Sequence, residues 1–332
     1  MIALVLGATL LASILLTGFA RRYAERRRLV DVPNSRSSHA LPTVRGGGIG
    51  FVIAFLAALA ALFAAGLVPL DTWLALLGGG TAVAAIGFID DHRPVRARIR
   101  FLVHVLAAIW VLFWLTPSGG AIGGGWPVPL VTVVGVLFIV WLLNLYNFMD
   151  GIDGLAGIEA VTAGLGAALL SFALWPEGGT WFLPLLLAAA AGGFLVWNLP
   201  PARIFMGDVG SGFLGVCLAT LALESLALRP AMFCAWLILL GVFVVDSTFT
   251  LVRRVTLGRA FYEAHRSHAY QQAARRFGHR AVTLTVGAFN VLWLWPIAWL
   301  VATDELGAGW GVAAAYLPLL AAAVYFRAGS DG

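Results

Sequence analysis

Asn144, Asn147, Asp150 and Asp153 stand three residues apart in N-L-Y-N-F-M-D-G-I-D-G-L-A-G (144–157), where one strongly apolar run ends and another begins. While a helix lasts, neighbours at that spacing share one face. Amides and carboxylates placed where a membrane helix reaches water are costly unless they bind something. Clustered oxygen ligands suit Mg²⁺, which takes one or two carboxylates and completes its shell with water and phosphate. A capped helix end with a Gly-rich turn would explain the same residues, and this stretch alone does not choose between the two.

Three further stretches carry comparable chemistry. G-F-I-D-D (87–91) ends an apolar run with adjacent carboxylates, Asp90 and Asp91, followed by arginines at 93, 96, 98 and 100. Adjacent like charges disfavour each other unless a cation or metal compensates; a solvated loop pairing with its own arginines is the alternative. N-L-P-P-A-R-I-F-M-G-D-V-G-S-G (198–212) sets Asp208 among small residues with Phe205 three positions before it. Small residues let the backbone approach a ligand, and an aromatic ring could stack on a base while the acid holds a metal. A bare cap by Asp208 on the next helix would leave Asn198, Arg203 and Phe205 unexplained. In H-R-S-H-A-Y-Q (265–271), Arg266 and His268 could meet a diphosphate. Two histidines three apart are poor evidence for zinc, and a basic loop resting on anionic headgroups fits equally well.

A glycine-rich fragment at 46–50 follows no strand, so a dinucleotide fingerprint is rejected. Thr43, Arg45 and the backbone N–H groups entering the next helix could still receive a phosphate. Of the acids inside apolar runs, Glu159 stands about one turn past the 144–157 stretch. Asp246 lies within reach of Arg253, Arg254 or the site. Glu224 has no evident role in the sequence.

The elements that must position these residues are membrane helices. Hydrophobic residues make up 61% of the 332-residue chain and charged ones 11%, which leaves no polar surface for a water-soluble domain. Cys217 and Cys234 both fall in apolar runs, so no disulfide framework is implied. Apolar runs at 2–20, 47–66, 73–89, 101–116, 128–146, 154–175, 182–197, 212–228, 231–252, 281–302 and 311–326 predict an all-α polytopic bundle of about eleven spans in a single domain, 1–332. The first run has no basic residue ahead of it and is followed by R-R-Y-A-E-R-R-R, as in an uncleaved span. If each run crosses once, every arginine except Arg229 falls on one side. The positive-inside rule makes that side cytoplasmic, with the N-terminus outside and the C-terminus inside. The net charge of +5 is therefore a matter of orientation, and nucleic acid is not an expected partner. Asp90, Asp91, Asp150, Asp153 and Asp208 all fall on or just beneath the same inner loops. A secondary transporter would place its acids near the midplane on broken helices in repeated halves; here they gather at one face and no repeat is evident.

Taken together and in this order, G-F-I-D-D, N-L-Y-N-F-M-D-G-I-D-G-L, N-x-x-P-A-x-I-F-M-G-D-x-G-S and a late H-R-x-H resemble the polyprenyl-phosphate N-acetylhexosamine-1-phosphate transferases, glycosyl transferase family 4. The likeness runs from Arg45 to Gln271. It implies transfer of an N-acetylhexosamine 1-phosphate from a UDP-sugar to undecaprenyl phosphate with Mg²⁺ or Mn²⁺, releasing UMP, at the bacterial cytoplasmic membrane. A homodimer is also allowed for. By position, Asp208 matches the family's principal metal ligand and Asn147 a second polar group near the metal. Asp90 and Asp91 match the acidic pair, whose first member is often proposed as the base. Asp153 matches the uracil-reading position, Phe205 the residue that stacks on uracil, and His268 and Arg266 the late-loop contacts to diphosphate and sugar. The expected set is thus Asp90, Asp91, Asp150 and His268 for catalysis. Thr43, Arg45, Arg100, Asn144, Asp153, Asn198, Arg203, Phe205 and Arg266 are expected to bind substrate, and Asp208 and Asn147 the metal. The triple histidine of the peptidoglycan branch is absent, and H-R-S-H-A-Y-Q departs from the teichoic-acid pattern. It is similar to the branch that starts lipopolysaccharide O-antigen with GlcNAc, FucNAc or QuiNAc phosphates.

Overall fold

The computed structural model describes residues 1–33, 42–116, 127–176, 180–259 and 266–330. Residues 37–41 of the first inner loop, His265 of the late motif and most of the outer connection at 117–129 lie outside them. The described chain is helical throughout: α1 (Ile2–Arg27), α2 (Gly48–Ala64), α3 (Leu70–His92), α4 (Ala97–Leu115), α5 (Val128–Met149), α6 (Leu155–Leu174) and α7 (Phe182–Asn198) come first. They are followed by α8 (Asp208–Leu228), α9 (Pro230–Leu239), α10 (Gly241–Thr256), α11 (Ala269–Phe289), a π-helical turn (Asn290–Leu294), α12 (Trp295–Ala302) and α13 (Ala308–Tyr325). The one exception to an all-α expectation is a two-residue antiparallel ladder, β1 (Val30–Asp31) with β2 (Thr43–Val44), in which Val30 faces Val44.

Among the described residues, eight helical segments are long and apolar enough to cross a membrane, α11 to α12 counting as one. The run expected as a single span at 231–252 is instead two helices, α9 and α10, bent by 73° at Leu240. The run expected from 281 begins twelve residues earlier, because the polar first half of α11 is invisible to hydropathy; Gly278 (φ 80°) kinks the helix at the change of character. The helices α2 and α7 are apolar but only 17 residues long each.

Burial identifies the centre. Within its candidate span, 89% of α8 is buried, against 17% for α1 and for α13, which present Leu4, Leu11, Leu15, Leu317 and Val324 outward. Apolar side chains outward around a buried helix are what a lipid solvent permits. Between such helices hydrophobicity provides little drive, so small residues that let backbones meet matter more. Gly87 of α3 is one: a Cβ there would lie 2.5 Å from the carbonyl of Asp208. Gly48 of α2 meets Gly210 of α8 in the same way. These two approaches draw α2 and α3 onto the head of α8.

Candidate active site

The site begins with Asp91 at the end of α3. It is buried, and its two oxygens accept the backbone amides of Asp208 (3.1 Å) and Val209 (3.2 Å). The first amides of a helix lack partners within it, and a carboxylate there also meets the positive end of the helix dipole. The cap of α8 is therefore supplied by another helix. The carboxylate of Asp208 is thereby available elsewhere, which reverses the capping alternative considered for it. Asn147 Nδ2 donates to Asp208 Oδ1 at 2.9 Å and to Ser211 Oγ at 3.1 Å. Arg100 Nη1 donates to Asp208 Oδ2 at 2.7 Å and to Asp90 Oδ2 at 2.6 Å, so one guanidinium bridges two carboxylates. The other oxygen of Asp90 accepts the amide of Val95 at 2.6 Å.

The helix α5 ends at Met149, so Asp150 and Asp153 lie beyond it and the shared-face pattern holds at most for the two asparagines. Even there, Asn144 turns its amide back to Val140 O at 2.7 Å. Asp150 makes no side-chain hydrogen bond among the described residues. Burial, and then the carboxylates of Asp208, Asp91 and Asp153, push its carboxyl well above the usual carboxylate range. Asp153 faces away from this group to accept the amide of Ala202 (3.1 Å) and to pair with His279 Nδ1 (3.2 Å).

Several residues expected to touch substrate have partners within the protein. Asn198 is buried, its oxygen accepting from Gly154 N and its nitrogen donating to Ile204 O, each at 2.9 Å. It ties the two glycine-rich loops together. The amides of Gly47 and Gly48, expected to receive a phosphate, donate to Phe205 O and Met206 O at 2.9 and 2.8 Å. Thr43 lies in the β ladder, and Arg45 donates to the carbonyl of Asp91 at 2.9 Å. Arg203 is exposed over the ring of Trp197. Phe205 is held by its backbone, its amide donating to Val44 O at 2.8 Å, while its ring stays partly exposed.

The late loop is ordered by an acid that hydropathy hid. Asp246 of α10 accepts the amides of Ala269 and Tyr270, both at 2.9 Å, caps α11 with them, and meets His268 Nδ1 at 3.3 Å. His268 is buried and Arg266 beside it exposed. Tyr270 reaches across to donate to Phe148 O at 2.9 Å, fastening the late loop to the end of α5. Asp246, expected to meet Arg253, Arg254 or the site, has the late turn as its partner; Ser211, Tyr270 and His279 had no role assigned from the sequence.

Among the described residues no three His, Cys, Asp or Glu side chains close on one point, so the chain offers no complete metal cage. Among those residues is a surplus of carboxylate: Asp90 and Asp208 share one guanidinium, and Asp150 lies in the field of Asp208, Asp91 and Asp153. That donor set fits a hard divalent ion that brings its own water and phosphate oxygens. It does not fit zinc, which wants nitrogen or sulfur.

Fold and site together define a multi-pass helical membrane protein with an acid-rich centre at one end of the bundle. The model described as glycosyl transferase family 4 matches residues 73–226, the stretch holding Asp90, Asp91, Asn147, Asp150, Asp153 and Asp208. The chain is 28% identical over 297 residues to a protein of Bacillus subtilis (strain 168) named as a probable undecaprenyl-phosphate N-acetylglucosaminyl 1-phosphate transferase, covering 84% of this chain and 79% of that one. It is 29% identical over 334 residues to the decaprenyl-phosphate N-acetylglucosaminephosphotransferase of Mycobacterium tuberculosis (strain ATCC 25618 / H37Rv), covering 87% and 78%. It is 26% identical over 288 residues to the undecaprenyl-phosphate alpha-N-acetylglucosaminyl 1-phosphate transferase of Thermotoga maritima, covering 84% of each. Over residues 73–226 the chain is similar to glycosyl transferase family 4, and along most of its length to polyprenyl-phosphate N-acetylglucosamine phosphotransferases.

Proposed function

We propose that this chain transfers an N-acetylhexosamine 1-phosphate from a UDP-sugar to undecaprenyl phosphate, releasing UMP, and so starts a cell-envelope glycan of the O-antigen kind. The observation that carries the reading is the convergence of Asp90, Arg100, Asn147 and Asp208 from four helices or helix ends onto one point. The names of the relatives supply the polyprenyl phosphate and the N-acetylglucosamine 1-phosphate. The arginine distribution supports the cytoplasmic face of a bacterial inner membrane. Eleven crossings follow if the bent α9–α10 pair and the short α2 and α7 each span once.

Mg²⁺, or Mn²⁺ in its place, would be held by Asp208 with Asn147 beside it and would neutralise charge on the donor diphosphate. Arg100, exposed by about a third, is placed to meet the incoming lipid phosphate as a fixed positive charge while holding Asp90 and Asp208 apart. A phosphate monoester has a second pKa near ~6 and is largely dianionic at neutral pH. Asp90 therefore acts mainly by orienting the acceptor and taking up its residual proton, and attack on the β-phosphorus is direct. Asp91 positions Asp208 rather than touching substrate. Asp150, whose carboxyl is held toward the neutral form by burial and its neighbours, would add negative charge only once a cation is bound. Phe205 stacks on the uracil; Asp153, on the base-reading side, is oriented by Ala202 N and His279. His268 and Arg266 meet the sugar diphosphate.

The deciding experiment mixes the purified protein with UDP-GlcNAc and undecaprenyl phosphate in detergent and measures UMP. UMP release should require acceptor, stop with EDTA and return with Mg²⁺. Absence of acceptor-dependent UMP across a panel of UDP-N-acetylhexosamines would overturn the reading and leave a transporter of an anionic lipid-linked substrate. Recovery of a sugar-phosphate adduct on any aspartate would replace direct attack by a covalent route.

A further inference from the structure

The turn that carries Arg266 and His268 is gripped from two sides. On the inside, Asp246 caps it and meets the histidine. On the outside lies a segment with no part in the reaction above, residues 326–330, which follow α13. The amide of Gly329 donates to the carbonyl of Ser267 at 2.7 Å, the shortest backbone bond made by that turn. Arg253 Nη1 donates to the carbonyl of Ala328 at 2.9 Å. Ala328 is fully buried in a small apolar cluster with Ala269, the first residue of α11, and Ala323. Arg276 of α11 stands over the rings of Tyr325 and Phe326, 5.9 and 5.8 Å from their centroids.

The hook has a backbone requirement. Arg327 (φ 54°) and Gly329 (φ 80°) are both left-handed, on either side of the buried Ala328. A Cβ on Gly329 would lie 3.0 Å from Arg253 Cβ and 3.1 Å from Thr250 O. Thr250 in turn donates its hydroxyl to Asp246 Oδ1 at 3.0 Å. Gly329 thus bonds directly to Ser267, the neighbour of His268, while a side chain in its place would press on the residue that bonds Asp246.

We propose that residues 326–330 are a brace that positions the late loop for the donor, with Gly329 and Arg253 as its positioning residues. The proposal rests on the reading of Arg266 and His268 as contacts to the sugar diphosphate. An isolated loop pays ordering entropy when it closes on a ligand; a loop already tied to a packed segment does not, so the brace lowers the KM for the nucleotide sugar. The acceptor is met by Arg100 and Asp90 on other helices, and its KM is independent of the brace.

The test compares Gly329→Val and Arg253→Met with Ser330→Ala, whose hydroxyl bonds only within the hook. Amide exchange is measured over Ser267 to Tyr270, together with KM for UDP-GlcNAc and for undecaprenyl phosphate. In the first two variants exchange should quicken about tenfold and the donor KM should rise about five- to thirtyfold, the effect of losing one or two hydrogen bonds. The acceptor KM and the Ser330→Ala variant should match the unsubstituted protein. Unchanged exchange in Arg253→Met, or donor and acceptor KM moving together, would overturn the brace. Faster exchange with no UMP release even from the unsubstituted protein would keep the brace as structure and remove its donor role, and that failure belongs to the proposed reaction. Should Gly329→Val fail to fold, Arg253→Met decides alone.

Discussion

Two ends of the same helix pair hold buried acid, and they hold it differently. At one end of α3 and α8, Asp90, Asp91 and Asp208 crowd together with Asp150 nearby, and Arg100 is shared between two of them. At the other end, Glu224 of α8 accepts hydroxyl hydrogen bonds from Thr72 (3.1 Å) on α3 and Thr180 (3.0 Å) just before α7, with one acid, Asp71, in its field among the described residues. A single carboxyl met by neutral donors is a clasp between helices, complete as it stands. Several carboxylates around one guanidinium are incomplete, because like charges at short range destabilise each other until a further cation arrives. Buried acid in a membrane protein marks function only where its charge is left over.

The comparison is broken most sharply by Asp208→Asn. It should cut UMP release about 10²- to 10³-fold at saturating Mg²⁺, the scale of losing one electrostatic contact to a reacting group, while the protein still folds. Near-normal turnover would place the metal elsewhere. Asp91→Ala removes a helix cap and should cost about 1–2 kcal/mol of stability. Turnover should fall tenfold or more as Asp208 shifts. Asp91→Asn, which keeps one acceptor oxygen, should recover part of both; full stability with no turnover would instead make Asp91 a direct participant.

Asp150→Asn sharpens the picture through pH. A carboxyl raised in the folded state favours folding while protonated, and that contribution is lost as pH climbs past its ordinary value and through the raised one. In EDTA the variant should therefore gain melting temperature over the unsubstituted protein at pH 8 and little at pH 5. Adding Mg²⁺ should shrink the gain; an equal gain at both pH values would show that Asp150 is not in the shared field. The smallest effect is expected from Glu224→Gln, which retains the acceptor oxygen. Its stability should stay within about 1 kcal/mol of the unsubstituted protein and its turnover within twofold, and a large loss of turnover would erase the contrast between the two ends.

Much of this was legible in the sequence. Apolar length located the bundle, and three aspartate motifs marked helix ends that meet. What remained hidden has physical causes. The break at Leu240 and the early start of α11 are invisible because hydropathy reports mean apolarity, whereas a bend depends on packing and a start on its cap. The protein partners of Asp91 and Asn198 were not visible because donors to a buried carboxylate or amide come from distant backbone, which residue type does not show. His279 beside Asp153 was missed because it lies 126 positions away in the chain.

The catalytic end of α8 hangs on a side chain from elsewhere, Asp91, and glycines at 48 and 87 fix its distance from two neighbours. Insertions or swaps near it would move Asp208 away from Arg100 and Asn147. The late turn hangs separately, from Asp246 and from the backbone of Gly329, so a change there can alter what the turn meets while the head of α8 stays in place.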